Sequence, residues 1–267
     1  MRINTNIDAL RVALNLQRHN DAIGRSMQRL SSGLRINSAA DDAAGLAISQ
    51  RMTAQERGLR QAERNISDGM SLAQVADGAL STVVDMYQRI RELAVQAAND
   101  TNNASDREAL QLEASALLLE IKRQAEQAGF NGMSLLDGSC SVPLQLGAAG
   151  GDMLTITIPA VWSREAANID LTSHADATAA LQQLDARLAG LANMRGMLGA
   201  TQNRLEFAAA AATDSANQLA TARSRILDTD FAAETAELTR RQILQQAALA
   251  MVAQAAAGPR LVLQLLR

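Results

Sequence analysis

Seven apolar residues recur at every seventh position near the end of this chain, and they constrain its fold more than any other feature. They are Leu184, Leu191, Leu198, Leu205, Ala212, Leu219 and Ile226. A helix that carries an apolar residue every seven positions keeps that row on one side only by supercoiling against a partner helix. The row therefore predicts a long helix in a coiled-coil arrangement.

Proline is absent from two long parts of the sequence. The three prolines are Pro143, Pro159 and Pro259, so residues 1–142 and 160–258 contain none. Because a proline destabilises a helix interior by roughly 3 kcal/mol, both spans are able to hold very long helices. Aromatic residues make up only 2% of the chain, and an interior rich in alanine and leucine fits closely spaced helices.

The first span predicts a helix that pauses and then restarts. One side of the first helix is apolar, and we expect it to carry Val12, Leu16, Ile23, Met27, Leu30 and Leu34. The pattern pauses at Gly33, Asn37 and Ser38, where glycine loosens the helix and short polar side chains compete for backbone hydrogen bonds. Ser38 or Asp41 is the expected cap of the helix that restarts at about Ala43.

The restarted helix is expected to run to about Asn99 and to carry two apolar rows. One row is Ile66, Ala73, Leu80, Tyr87 and Ala94, and the other is Ala76, Val83, Ile90 and Ala97. A third helix then follows a polar turn. Ser105 with Glu108 three residues later has the spacing of a capping box for this helix.

The middle of the chain predicts the only β structure. Leu144 and Leu146, and then Leu154, Ile156 and Ile158, alternate with polar or small residues around a glycine-rich turn, which indicates a β-hairpin. Trp162 is expected in a loop. Beyond the heptad row, a last helix is expected to carry the apolar stripe Leu244, Ala248, Met251 and Ala255, and the terminal helices are apolar on more of their surface than a two-helix pair could cover.

These elements predict a mainly α fold, an elongated antiparallel helical coiled-coil rod with a small mid-chain β-hairpin region. We divide the chain into five parts. They are an N-terminal coiled-coil helix with its joint (1–40), N-terminal rod helices (41–137), a hairpin and loop turn-around (138–175), a C-terminal rod helix (176–226) and a C-terminal coiled-coil helix (227–267).

Motifs for chemistry are few. The two histidines, His19 and His174, do not have a metal-type spacing, and Cys140 is the only cysteine. No phosphate-binding or nucleophile motif occurs, so we expect no enzyme activity, no cofactor and no metal. The net charge of −3 and the absence of an apolar run of about 20 residues argue against nucleic acid and membrane insertion.

Several long motifs resemble one family. The segments MRINTNIDALRVALNLQ, LSSGLRINSAADDAAGLAISQRM, QRIRELAVQAANDTNN and FNGMSLLDGS are similar to the N-terminal half of bacterial flagellin. The segments RSRILDTDFAAETAELTRRQILQQAALAMVAQA and LVLQLLR are similar to its C-terminal half. The run FAAAAATDSANQL departs from the asparagine-rich pattern usual in the family. The chain resembles a minimal flagellin that lacks the outer variable domains.

The resemblance implies a structural subunit of the bacterial flagellar filament, which self-assembles through its terminal helices into a helical tube used for swimming. It implies an extracellular location, reached through the flagellar type III apparatus without a cleaved signal peptide. Implied partners are other copies of the chain, the flagellar cap, the junction proteins and an export chaperone that binds the segment Ile226–Arg267.

The resemblance also implies roles for individual residues. Gly33, Asn37 and Ser38 form the spoke joint between an inner-tube helix and the rod. Arg89, Leu93 and Glu113 fall in the patch that a vertebrate Toll-like flagellin receptor recognises in some members. The expected assembly seam is the row Leu184, Leu191, Leu198, Leu205, Leu219 and Ile226.

Two other functions fit part of the sequence. A hook–filament junction protein shares the terminal helices, but it usually restarts its helix with Asp-Asp-Pro, whereas Asp41 and Asp42 precede Ala43 here. A cytosolic coiled-coil adaptor, from a different class, would explain the heptads but not the matching joints or the order of the motifs. The filament subunit is the preferred interpretation.

Overall fold

The computed structural model describes residues 6–162 and 169–265, with side chains as far as residue 257. Its helices are α1 (Ile7–Ser32), α2 (Ala43–Ala97), α3 (Ala104–Gln127), α4 (His174–Leu227) and α5 (Phe231–Leu265). Its strands are β1 (Gly129–Phe130), β2 (Met133–Ser134), β3 (Ser141–Gln145) and β4 (Met153–Thr157). The predicted mainly α fold with a mid-chain hairpin is confirmed. The side chains of the closing LVLQLLR motif lie outside the described residues.

The chain divides into two compact units. Unit 1 contains Met1–Ala54 and Gln218–Arg267, and unit 2 contains Gln55–Asn217. The division falls inside the long helices α2 and α4. The five functional parts assigned from the sequence stay a prediction.

The core of unit 2 is built from heptad rows. Both predicted rows of α2, from Ile66 to Ala97, are buried almost completely. From α4 the core receives Leu184, Leu191, Leu198 and Leu205, and from α3 it receives Ala114, Leu118, Ile121 and Ala125. Burial of these rows drives the helices together, because each large apolar side chain contributes roughly 1.5–3 kcal/mol when it leaves water.

Ion pairs show that α2 and α4 run antiparallel within unit 2. Arg91 Nε lies 2.6 Å from Asp185 Oδ1, and Arg195 Nε lies 2.8 Å from Asp77 Oδ1. As the α2 position moves toward the N-terminus, its α4 partner moves toward the C-terminus. The pairs are partly exposed, so they specify the pairing more than they stabilise it.

The start of α3 differs from the prediction by two residues. The capping box uses Asn103 and Asp106, whose side chains accept hydrogen bonds from each other's backbone N–H groups. Ser105 and Glu108 therefore lie inside the helix, and their predicted capping role is wrong. Asparagine is as good a cap as serine, and the two candidate boxes overlap in the sequence.

The predicted hairpin is present as β3 and β4, with Val142 paired to Ile156 and Leu144 to Leu154. Trp162 lies outside any helix or strand, as predicted, and its half-buried ring packs against the core. A second, shorter hairpin of β1 and β2 was not predicted. Its turn holds Asn131 at φ 50° and Gly132 at φ 79°, and Asn-Gly is a strong hairpin signal that could have revealed it.

The longer hairpin lies against two glycines of α2. A Cβ atom added to Gly69 would lie 2.2 Å from Leu144 Cδ1, and one added to Gly58 would lie 2.8 Å from Ala148 Cβ. Between them, Asn65 Nδ2 donates to the Gln145 carbonyl oxygen at 3.3 Å. Gly58 and Gly69 therefore let the hairpin approach the helix backbone closely.

Cys140 lies just before β3 and is buried. Burial raises the pKa of its thiol, and the charge of Asp137 raises it further. The thiol is therefore largely protonated and poorly reactive.

Unit 1 contains an antiparallel pair formed by α1 and α5. Asn6 Nδ2 donates to the Ala255 carbonyl oxygen at 2.8 Å, and Gln245 Nε2 donates to Asn20 Oδ1 at 2.7 Å. Near the other end, Arg29 Nη1 lies 3.7 Å from Glu234 Oε2. These three contacts fix both the direction and the register of the pair.

Some expected seam residues of this pair face outward. Val12, Leu16, Ile23 and Leu30 are half-buried, but Met27 is exposed because Ala22 and Ser26 take the buried positions. In α5, Ala248 and Ala255 are half-buried, whereas Leu244 and Met251 are exposed. Met27, Leu244 and Met251 therefore belong to the apolar surface that the α1–α5 pair does not cover.

The close packing of the β3–β4 hairpin on Gly69 gives a first prediction. Gly69→Ala should destabilise the protein, whereas the control Gly78→Ala should stabilise it. Both residues lie inside α2, where alanine is favoured over glycine by about 1 kcal/mol. Gly78 has no atom within 4 Å of the added Cβ, but at Gly69 we expect about 1–3 kcal/mol of overpacking against Leu144. Thermal unfolding followed by circular dichroism measures both changes. Equal stabilisation by the two variants would contradict close packing of Leu144 on Gly69.

Candidate assembly site

The paired terminal helices leave a large apolar surface uncovered. On α1 the exposed residues include Ile7, Leu10, Leu14 and Met27, and on α5 they include Ile243, Leu244, Leu249 and Met251. Ile7, Leu10 and Leu14 share one face of α1, and Leu244 and Met251 lie seven residues apart on α5. Isolated apolar residues on a surface are ordinary, but several together on adjacent helices mark an assembly surface.

The seam between α1 and α5 explains why these residues stay outside. Its buried positions hold the small residues Ala22 and Ser26 of α1. The half-buried positions of α5 include Glu234, Arg241 and Gln245 as well as Ala248 and Ala255. Polar groups in a coiled-coil seam specify register at the expense of stability. The exposed apolar side chains of both helices remain available for contacts outside the chain.

A left-handed glycine ends α1. Gly33 has φ 72° and its N–H donates to the Arg29 carbonyl oxygen at 2.9 Å. Glycine reaches this conformation without the clash that a Cβ atom would cause. The chain therefore leaves the helix abruptly and becomes extended at Leu34.

The extended segment pairs with the segment that joins α4 to α5. The Arg35 N–H donates to the Leu227 carbonyl oxygen at 2.6 Å, and the Thr229 N–H donates to the Gly33 carbonyl oxygen at 3.0 Å. These bonds flank an antiparallel bridge between Leu34 and Asp228. The joint that follows α1 and the joint between α4 and α5 are therefore hydrogen-bonded to each other.

Two adjacent aspartates have different roles at the start of α2. Asp42 Oδ1 accepts the Gly45 N–H at 2.9 Å and caps α2. Asp41 Oδ2 instead accepts the N–H groups of Asn37 and Ser38 and the Ser38 hydroxyl. The expectation that Ser38 or Asp41 caps this helix is therefore wrong. The hydrogen bonds from Ser38, followed by that from Asn37, lower the pKa of Asp41.

The second joint, between α4 and α5, also contains an aspartate that caps the following helix. Asp230 Oδ1 accepts the N–H groups of Ala232 and Ala233 at 2.9 and 3.2 Å and so caps α5. Arg35 Nη2 also donates to the Ile226 carbonyl oxygen at 2.6 Å, beside the end of α4. Each joint thus combines a helix end, one bridging residue and an aspartate cap.

The predicted seam residues lie in different environments. Leu184, Leu191, Leu198 and Leu205 are buried in the core of unit 2, at no more than 5% exposure. Leu219 and Ile226 are half-buried in unit 1. The first four leucines shape the subunit and have almost no surface to offer to a second molecule.

The predicted receptor patch is partly brought together. Arg89 Nη2 lies 2.8 Å from Glu113 Oε1, and Arg89 Nη1 lies 2.9 Å from Glu92 Oε2. The hydrogen bonds that Arg89 donates to the carboxylates of Glu92 and Glu113 raise the pKa of Arg89 above its usual value. Leu93 is only 1% exposed, so its side chain lies beneath this surface and is not part of it.

The described residues contain neither a metal-binding cluster nor a helix that could cross a membrane. Within residues 6–162 and 169–265, no group of three or more His, Cys, Asp or Glu side chains is placed to hold a metal ion. In the same residues, no helix combines the length and the hydropathy that crossing a bilayer requires.

Family models match both parts of the chain that carry these features. The bacterial flagellin N-terminal helical region matches residues 3–141, and the bacterial flagellin C-terminal helical region matches residues 181–266. The chain belongs to the bacterial flagellin family. The two matches include both joints, α1 and most of α5.

Full-length relatives agree with this assignment. A flagellin of Halalkalibacterium halodurans is 45% identical over the whole of both chains. A flagellin of Bacillus subtilis is 40% identical, again over the whole of both chains. The flagellar filament 33 kDa core protein of Treponema phagedenis is also 40% identical over both complete chains.

Solved structures agree as well. The crystal structure of Bacillus cereus flagellin is 33% identical, covers 55% of this chain and 87% of that one, and superposes with a TM-score of 0.52. A putative flagellar hook-associated protein from Vibrio parahaemolyticus is 14% identical, covers 70% of this chain and 100% of that one, and has a TM-score of 0.59. At that identity the second likeness concerns the fold alone.

The flagellin chain is a structural subunit of the bacterial flagellar filament, the organelle of swimming, and it polymerises with copies of itself. Family membership favours this function over the cytosolic adaptor. Matches over the entire length of named flagellins favour it over the junction protein.

The joint gives a second prediction. Ser38→Ala should raise the pKa of Asp41 toward its ordinary value of 3.8, because it removes the hydroxyl hydrogen bond to the carboxylate. A lowered pKa contributes stability above the unfolded-state pKa, and this stability is lost as the pH falls through the folded-state pKa. The variant should therefore lose stability at neutral pH, and the loss should shrink as the pH falls below 3.8 and Asp41 becomes protonated. An NMR titration of Asp41 measures the pKa.

Ser32→Ala serves as the control for that titration. Ser32 lies in the same joint, but its hydroxyl contacts the carbonyl oxygens of Arg29 and Leu34 and not Asp41. An Asp41 pKa that moved equally in both variants, or in neither, would contradict the assigned hydrogen bond.

Proposed function

We propose that this flagellin assembles by burying the outward apolar surface of α1 and α5 on neighbouring copies. The observation that carries the proposal is the number of exposed leucine, isoleucine and methionine side chains on both helices, with Ile7, Leu10 and Leu14 on one face of α1. Each such side chain contributes roughly 1.5–3 kcal/mol when a partner covers it. In this proposal the terminal helices line the inner tube and the joint residues Gly33, Asn37 and Ser38 form the spoke.

The proposal makes the role of the long heptad row indirect. Leu184, Leu191, Leu198 and Leu205 hold α4 against the unit 2 core. They support the filament by keeping the outer surface of each subunit in one shape. Leu219 and Ile226, which are less buried, support the second joint.

We further propose a structural and not a catalytic role. Asp41 and Asp42 are adjacent carboxylates, but each accepts hydrogen bonds from different backbone groups of the joint. The expected partners are the flagellar cap, the junction proteins and an export chaperone for Ile226–Arg267. Exposed Leu249 and Met251 on α5 give such a chaperone an apolar surface before assembly. Export through the flagellar type III apparatus completes the proposal.

Seeded polymerisation tests the assembly surface. Purified full-length chain should elongate short filament seeds as sulfate is raised, because sulfate strengthens apolar burial. Leu10→Gln with Leu14→Gln should raise the critical concentration by about 30-fold or more, which corresponds to a loss of about 2 kcal/mol per subunit. Glutamine keeps helix propensity close to that of leucine. Filament yield in the pellet at each concentration gives the result.

Arg11→Gln with Asn15→Gln is the matched control, since both residues are exposed on α1 and polar. This control should polymerise like the wild type. If the leucine variant also does so, the apolar surface of α1 is not the assembly surface.

We also propose that the exposed ion pair of Arg89 and Glu113 is the part of the patch that a Toll-like flagellin receptor would contact. Arg89→Ala should weaken binding of the monomer to the receptor ectodomain by about 30-fold, as expected for an interface arginine worth about 2 kcal/mol. Arg123→Ala is the control, because Arg123 forms a similar exposed ion pair with Glu120 on α3. Surface plasmon resonance that gives equal affinities for both variants would contradict this proposal.

A further inference from the structure

The outer side of α3 carries an apolar stripe that nothing in the described chain covers. It contains Ala109, Leu112, Ala116 and Leu119, all exposed, with Leu112 at 70% and Leu119 at 68%. The spacing of three, four and three residues keeps them on one face of the helix. The core residues Ala114, Leu118, Ile121 and Ala125 lie on the opposite face. The helix is therefore apolar on two sides, and only one is used within the subunit.

A second outward stripe lies on α4, in the same unit. It contains Met197, Ala200, Arg204, Phe207 and Ala211, again at alternating spacings of three and four. Met197 is 55% exposed, and Phe207, at 77%, is among the most exposed large apolar side chains of the described chain. Leu198 and Leu205 face the core from the other side of this helix. Phe207 also begins the run that departs from the usual family pattern.

The two stripes complement each other in size and charge. On α3 the small residues Ala109 and Ala116 alternate with Leu112 and Leu119, which leaves shallow recesses for a large side chain. Glu108 and Glu113 flank this stripe, whereas Arg204 lies in the middle of the other. Glu113 is paired with Arg89, but among the described residues neither Glu108 nor Arg204 has an ion-pair partner.

We propose that the α4 stripe of one subunit docks on the α3 stripe of the next, with Phe207 over Ala116 between Leu112 and Leu119. Arg204 then lies beside Glu108. The occupant is a second copy of this chain, because a filament places identical copies side by side and both halves of the contact are present on each copy. The inference rests on the self-assembly described under the proposed function.

The filament decides the kind of contact. Successive copies in a helical filament are related by a rotation and a translation, so the contact between α4 of one copy and α3 of the next is heterologous. It leaves one stripe free at each end and continues from copy to copy. The proposed contact therefore extends along a filament and does not close as a two-fold dimer. It adds a contact made by unit 2 to those made by the terminal helices.

Polymerisation of single variants tests the contact. Phe207→Gln should raise the critical concentration at least tenfold without changing the helicity or thermal unfolding of the monomer, because the side chain is exposed. Met153→Gln is the control, since Met153 is 60% exposed in the same unit but lies on β4 and outside both stripes. Arg204→Glu should also weaken assembly, and adding Glu108→Arg should restore it.

Cross-linking tests the identity of the partner. In a Cys140→Ala background, chains carrying Ala116→Cys are mixed with chains carrying Phe207→Cys, polymerised on wild-type seeds and oxidised. Disulfide-linked dimers should form in mixed filaments but not in filaments of either chain alone, because a disulfide needs Cα atoms within about 7 Å. Disulfide-linked dimers in filaments of one variant alone would bring two copies of the same position together and would contradict the proposed pairing.

The outcomes separate the two proposals. Wild-type chain that does not elongate seeds would overturn the self-assembly on which this inference rests. Normal polymerisation of Phe207→Gln, or mixed filaments without cross-links, would overturn the α3–α4 contact and leave the role of the terminal helices intact.

Discussion

Close approach between helices is the constraint on which unit 2 depends. Its helices meet through rows in which alanine is frequent, such as Ala73, Ala76, Ala94 and Ala97 on α2, all fully buried. Small side chains bring helix backbones near each other, so that the leucines of α4 and the single Tyr87 fill the remaining space. The ion pairs between α2 and α4 form only at this spacing. A larger residue in one of these rows would displace the helix along much of its length, because close-packed interiors do not absorb added volume.

This way of building a core separates the side chains that fold the subunit from those that we propose join subunits. Small residues, polar groups and half-buried Val12, Leu16, Ile23 and Leu30 hold α1 against α5, and other large apolar residues of both helices stay exposed. In the same way, α3 and α4 use one face for the core and leave a second face exposed. A filament subunit needs this separation, because it must be a defined monomer before it becomes part of a polymer.

Periodic features of this fold can be predicted from the sequence, whereas features that depend on contacts between distant segments cannot. The rows of α2 and α4 are visible because they repeat over many turns. The outward direction of Met27 depends on the register that α1 adopts against α5, which no local pattern encodes. Asp41 and Asp42 are chemically identical candidates for a cap, and the fold of Asn37 and Ser38 around Asp41 decides between them. The bridge between Leu34 and Asp228 joins positions too distant in sequence for pattern analysis to pair.

The position of Cys140 has a consequence at the scale of the polymer. Every copy contributes one thiol, so a long filament contains thiols at high local concentration. Two reactive thiols on neighbouring subunits would join them through a disulfide bond. Burial beside β3 and a raised pKa keep the thiolate scarce. The one cysteine of each copy is therefore protected from disulfide exchange and does not lock neighbouring subunits together.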